Sequence, residues 1–194
     1  MTASTTKFVS FSKPKRTWFQ FRLRTLLLLV VVVAVPCVLL KSKIERKRKE
    51  RAAVAQIEKL GGFVLYDWQL YGGREPNGPG WLRRVVGDDF FEDASTVIEP
   101  RRTPDARLAN LSDIGGLRSL ELFWSNVTDA GMVNIEKLRG LEWLNISGSR
   151  VTDVGLARLK KLPRLKYVSL GNTLVTDTGI ADLQAALPKC KIER

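Results

Sequence analysis

The stretches VTDAGM (127–132), VTDVGL (151–156) and VTDTGI (175–180) recur every 24 residues. A fixed period of that length marks a stack of small units, each too short to bury its own apolar face, so it decides the architecture before any single residue does. On this period Leu117, Leu141 and Leu165 fall into register, then Leu120, Leu144 and Val168, then Leu122, Ile146 and Leu170. Gly131, Gly155 and Gly179 align too, as do Ile135, Leu159 and Leu183. The first half of each unit alternates with period two, as a half-buried strand does, while the second half spaces Met132, Ile135 and Leu138 as a helix does. Each unit is therefore expected to be a strand, a turn and one helix.

The pattern LxxLxLxxSxVTDxGLxxLxxL resembles the leucine-rich-repeat family, on Leu117, Leu120 and Leu122 and a small polar residue three further on. That polar site is Ser125, Ser149 and Thr173, and the resemblance implies a hydrogen bond from it to backbone inside the turn. It also implies an α/β solenoid with parallel strands on a concave face and helices on a convex face. A worn repeat precedes the clear ones: subtracting 24 sets Ile98 under Leu122, Asp105 under Asp129, Leu108 under Met132 and Leu111 under Ile135. The expectation is about four repeats over residues 93–189.

The TD of each word has a local reading. Thr128, Thr152 and Thr176 precede each helical stripe, where a hydroxyl can accept from free N–H groups of the first turn. Asp129, Asp153 and Asp177 then lie inside that turn, where the helix dipole favours negative charge. A calcium ladder is the rival reading, but one oxygen donor per repeat is far short of the six to eight ligands calcium takes. After the last repeat a further strand is expected at about 190–192, covering a face that has no next repeat.

The other end changes character. TLLLLVVVVAVPCVLL, residues 25–40, is sixteen residues without a charge. As a helix it is roughly 24 Å long, against roughly 30 Å of bilayer hydrocarbon. Trp18, Phe19 and Phe21 suit an interfacial belt, and Arg22, Arg24 and Lys41 can extend their charges outward. A single membrane-spanning helix is expected, as an N-terminal anchor in the cell membrane. No small-x-small cleavage site follows the run, and Pro36 before Cys37 does not suit a lipoprotein signal.

The net charge of +12 is concentrated there: residues 1–60 hold fourteen Lys and Arg against three Glu, and the rest of the chain is almost neutral. Lys41, Lys43, Arg46, Lys47, Arg48, Lys49 and Arg51 form a cluster expected to meet anionic lipid headgroups, each such charge adding about 1 kcal/mol near the surface. Nucleic acid is the other partner a basic run can take, and it is disfavoured because no binding motif accompanies this one. Both flanks of the apolar run are basic, so no asymmetry sets an orientation.

After the run, KSKIERKRKERAAVAQIEKLGG reads as a helix closed by Gly61 or Gly62. FVLYDWQLY reads as a strand, GGREPNGPG as a loop, and WLRRVVGDDFF as a short amphipathic helix ending near Gly87. The expected organisation is a basic tail (1–24), a transmembrane helix (25–40), a basic juxtamembrane helix (41–60), an α+β N-terminal cap (61–92) and the repeats with their capping strand (93–194). In that order, FRLRTLLLL, AAVAQIEKLGG, WLRRVVGDDFF and VTDxG look like the membrane-anchored leucine-rich-repeat proteins of planctomycete bacteria. That resemblance implies a fold and an envelope location, and brings no substrate and no catalytic residues.

Chemistry has little to work with. There is no histidine, and Cys37 and Cys190 lie in the apolar run and the terminal strand, which gives neither a disulfide framework nor zinc spacing. Asp88 and Asp89 are sequence neighbours that are expected to end one helix and start a strand. No phosphate loop, GxGxxG or GxSxG occurs. No catalysis, cofactor or metal is expected. Binding has more behind it: the residues alternate to the leucines would line the concave face, among them Glu121, Phe123, Trp143, Asn145, Tyr167 and Ser169. Trp143 and Tyr167 would stack, and exposed aromatics on a fixed sheet are what interface hot spots are made of. The expected function is a protein-binding repeat domain on a single membrane pass. The alternative is a structural envelope component that forms homo-oligomers laterally or lies on the membrane surface.

Overall fold

The computed structural model describes residues 17–70 and 76–194, without the side chains of 17–26, 29 and 70. The basic tail before residue 17, the side chains of the aromatic belt residues Trp18, Phe19 and Phe21, and most of the GGREP loop lie outside it. Two compact units divide the chain between Ser42 and Lys43. Helix α1 spans Thr17–Lys59. In the first unit, residues 27, 28 and 30–40 are helical with exposed side chains. Among the described residues no helix is long and apolar enough to cross a membrane.

The second unit is built on a six-stranded sheet whose strands lie in chain order: β1 (Phe63–Tyr66), β2 (Ala94–Ile98), β3 (Ser119–Glu121), β4 (Trp143–Asn145), β5 (Tyr167–Ser169) and β6 (Lys191–Glu193). β1 and β2 are antiparallel; every later pair is parallel. Between the strands run α4 (Asp129–Ile135), α5 (Asp153–Leu156) with a 3-10 continuation, and α6 (Asp177–Ala186). The worn repeat uses a 3-10 helix, Asp105–Asp113, in the same place. This mixed α/β arrangement is compatible with a leucine-rich-repeat solenoid.

Periodicity explains the core. Leu120, Leu144 and Val168 pair across β3, β4 and β5 with no exposure, and Leu122, Ile146 and Leu170 form the next column. Fully burying such a side chain stabilises by about 1.5–3 kcal/mol, and here each is covered by its own helix and by both neighbouring repeats. At the front, Ala53, Val54 and Ile57 of α1 join the same core. The helix stops at a pair of glycines: the Gly61 N–H donates to the Glu58 carbonyl and the Gly62 N–H to that of Ile57, with Gly61 at φ 83°. That is the Schellman arrangement, which needs a left-handed residue at its corner.

Three local readings need correction. The strand FVLY ends at Tyr66, and Asp67–Leu70 turn into a short helix, α2, because the Gln69 side chain accepts from the Tyr66 N–H and curls the chain. Ser125 and Ser149 are buried but bond no backbone; only Thr173 does so, donating to the Leu170 carbonyl at 2.7 Å. The worn repeat is also one residue shorter between its strand and its Thr103 turn. β2 therefore pairs with β3 at an offset of 23, with Val97 beside Leu120 and Ile98 beside Glu121. Glu99, not Ile98, then stands in the column of Leu122, its N–H bonded to the Glu121 carbonyl.

A carboxylate in a leucine column is costly. Glu99 is buried, with Arg107 at 2.8 Å from one oxygen and nothing bonded to the other. Burial pushes its carboxyl above the usual range, opposed by the Arg107 charge and a hydrogen bond from Thr103. For a carboxyl raised in the fold, the folded state binds the proton more readily than the unfolded one. Its contribution is complete below the ordinary glutamate pKa and is lost as pH rises through the raised value. The stability difference between the wild type and Glu99→Gln should therefore move toward the wild type as pH falls from neutral. Paired melts across pH check this, and a flat or opposite trend would refute it.

Candidate protein-binding face

The repeated word VTDxG proves to be a clasp between repeats. The Asp129 carboxylate accepts from the Thr152 N–H (2.9 Å) and hydroxyl (2.6 Å) of the following repeat. Asp105 does the same for Thr128, and Asp153 for Thr176. The Thr hydroxyls also cap their own helices, accepting from the N–H groups of Ala130, Val154 and Gly179. The glycines leave room for the incoming carboxylate: a Cβ on Gly131, Gly155 or Gly179 would lie within 2.3 Å of an Oδ1. The hydrogen bonds from Thr176 hold the Asp153 carboxyl below the usual range. The aspartates thus serve stacking more than the dipole of their own helix, and this clasp keeps the strands in register.

Register in turn builds the open face of the sheet. Parallel strands about 4.8 Å apart place Ser119, Trp143, Tyr167 and Lys191 in one row and Glu121, Asn145, Ser169 and Glu193 in the next. The rings of Trp143 and Tyr167 stack with centroids 3.8 Å apart and planes 18° from parallel. Trp143 is still 45% exposed, and Phe123, two residues past Glu121, is 37% exposed. Lys191 lies over the other side of the Tyr167 ring at 5.7 Å, and the Tyr167 hydroxyl donates to Glu193.

The polar row is bonded to itself. Burial pushes the Glu121 carboxyl up, against hydrogen bonds from the Asn145 and Trp143 side chains. Asn145 Oδ1 accepts from the Ser147 N–H, and the Ser147 and Ser169 hydroxyls are 2.8 Å apart. Groups already satisfied hold their rotamers, so the aromatic pair is presented on a rigid floor. Of the six residues read from the alternation, Glu121, Trp143, Asn145, Tyr167 and Ser169 stand in these rows, and Phe123 lies in the turn just past β3. Lys191 and Glu193 extend the rows, which the sequence reading missed by treating their strand only as a cover. Trp124 (φ 54°) leaves the strand, lays its ring over Gly148 and meets Arg101 at 5.7 Å.

The basic cluster divides. Lys41, Arg46, Arg48 and Lys49 are exposed. Lys47 is not a surface cation: it is 2% exposed, and its ammonium donates to Glu50, to the Glu92 carbonyl at 2.6 Å and to Asp93 at 2.7 Å. The chain before β2 folds back over α1 and supplies those acceptors. Asp93, which burial pushes up, is held below the usual range by that hydrogen bond and the charges of Lys47, Arg46 and Lys43. Lys43 sits over the Phe90 ring at 4.7 Å, and Arg51 forks onto Asp89. Among the described residues no group of three His, Cys, Asp or Glu is placed to hold a metal ion.

Against known proteins, no family model matches this chain, and no curated protein does. Among solved structures, a leucine-rich-repeat protein of Leptospira interrogans is similar at 17% identity over 44% of this chain and 27% of its own, with a TM-score of 0.32. This chain thus spans about a quarter of that one. The solenoid assignment rests on the repeat period, the parallel register and the clasp.

Proposed function

We propose that this chain is a single-pass membrane protein of the planctomycete leucine-rich-repeat type, displaying a non-catalytic repeat domain that binds another protein through the Trp143 and Tyr167 face. The observation that carries this is the aromatic pair, stacked in advance on a hydrogen-bonded floor, with the half-buried Tyr167 backing a Trp143 that is open to solvent. Rings so held lose little entropy on binding, and such anchors dominate interface energetics. Supporting the anchor is the uncharged run 25–40, whose described residues are helical and exposed. Apolar surface on that scale belongs in lipid or against a partner.

Trp143→Ala with Tyr167→Ala should weaken capture of the partner from solubilised membranes by 2 kcal/mol or more, about thirtyfold. The loss of stacking should cost the domain only about 1 kcal/mol. Undiminished capture by a folded double variant would remove this face from the function. The second reading is an envelope component that associates with its own copies or lies on the membrane. It is favoured by the exposed cations Lys41, Arg46, Arg48 and Lys49. Crosslinking in cells separates the two, since lateral association would give mainly adducts of the chain with itself.

A further inference from the structure

Helix α3 (Gly80–Val86, GWLRRVV) buries none of its residues. Trp81 and Val85, one turn apart and so on one side of the helix, are 69% and 76% exposed. This inverts the usual arrangement, in which a short helix of a small domain turns its largest apolar side chains inward. The surface continues onto α1. Val85 and Val86 line a groove with Ile44, Arg48, Arg51 and Phe90, and Ile44 is itself 50% exposed.

The free charges around this surface are mainly positive. Arg48 and Arg84 are exposed. The nearby carboxylates are occupied: Asp89 takes the Arg51 fork, and Asp88 lies 3.8 Å from Arg83. Glu45, on the α1 turn before Arg48, is the exposed acid to set against them. A tryptophan and branched aliphatics beside arginines make up the face of an element lying in a membrane interface, where the apolar groups enter the acyl boundary and the cations meet phosphate. Ile44 and Arg48 also follow Leu40 by only four and eight residues. At about 1.5 Å per residue that is about 6 Å for Ile44, within the roughly 5–8 Å of each headgroup layer, and about 12 Å for Arg48, just past it, where a long side chain can reach back to phosphate.

We propose that Trp81, Val85, Ile44, Arg48 and Arg84 form a docking surface for the anionic headgroup layer of a bilayer. The proposal rests on the membrane-anchored reading above. It replaces Lys47 in the lipid contact with α3, and it requires the repeat domain to lie close to the membrane it is anchored in.

The test is amide exchange of the full chain in nanodiscs of phosphatidylcholine alone or with phosphatidylglycerol. Exchange over 80–86 should be slower by about fivefold or more when the anionic lipid is present. Arg48→Glu with Arg84→Glu should abolish the difference while exchange in α4 and α6 is unchanged, which shows that the variant is folded. A chain that enters nanodiscs but exchanges at 80–86 equally in both lipids overturns the surface and leaves the anchor standing. A chain that does not enter them overturns the anchored reading and the proposal with it. Slow exchange in native membrane vesicles that is lost in the purified lipids would assign the surface to a protein and overturn the proposal.

Discussion

Replacing Gly155 by Ala should destabilise the repeat domain by about 2–4 kcal/mol, although the same change in an exposed helix stabilises by up to about 1 kcal/mol. The sign reverses because of the clasp. A Cβ at 155 would meet Asp129 Oδ1 at 2.3 Å, Val151 Cγ1 at 2.9 Å and Met132 Cγ at 3.0 Å. The carboxylate would have to withdraw from the Thr152 N–H and hydroxyl and from the Gly155 N–H it also accepts. Hydrogen bonds to a charged group contribute about 1.5–3 kcal/mol, so losing them outweighs the helix propensity gained.

Denaturant unfolding of the full chain in detergent measures this, with Gly80→Ala as the control. The nearest atom to a Cβ at Gly80 is Arg83 Nη2 at 3.8 Å, so that variant should be neutral or slightly stabilised. The cost of Gly155→Ala should also fall in an Asp129→Ala background, where the oxygen is gone and Val151 and Met132 remain. A Gly155→Ala protein as stable as wild type would mean that the clasp does not hold in solution.

Lys47→Ala should cost about 3–5 kcal/mol, the range for removing one partner of a buried ion pair. Glu50 would be left buried with its charge, holding only the Ala94 N–H at 3.1 Å, while the Glu92 carbonyl would lose its 2.6 Å donor. Lys47→Met with Glu50→Gln should recover most of that loss. Methionine replaces the apolar stem of lysine, and the glutamine oxygen can still accept from Ala94. The same unfolding measurement decides it: a single variant within about 1 kcal/mol of wild type, or a double variant no better than the single, would show that Lys47 is not buried as described.

Much of the fold was legible because a repeat places the same residue in the same environment several times. Leu120, Leu144 and Val168 needed only the period to be put in one column, and the threonine caps needed only their position before each helical stripe. The open face of the sheet was legible for the same reason, since alternation along a strand sends neighbours to opposite faces. The slip at Glu99 was hidden because the worn repeat keeps Asp105 and Leu108 in phase, while its turn is one residue shorter. A count of 24 from the helix side is therefore right, and from the strand side wrong by one. Lys47 looked like its basic neighbours because nothing within one turn of it shows that the chain around Glu92 and Asp93 returns to cover it.

By itself the sequence determined the period, the strand, turn and helix of each unit, the alternation that puts Trp143 and Tyr167 on one face, and the location of the charge. These follow from spacing along the chain, which is a local property. Only the tertiary structure decided that Asp105, Asp129 and Asp153 each serve the threonine of the next repeat, that a glycine must stand where that aspartate arrives, and that one lysine of the basic cluster is buried. It also decided that Trp81 and Val85 face outward. These depend on which groups meet across separations of twenty residues or more, and the energy of such a contact is set by burial and geometry that no local spacing contains.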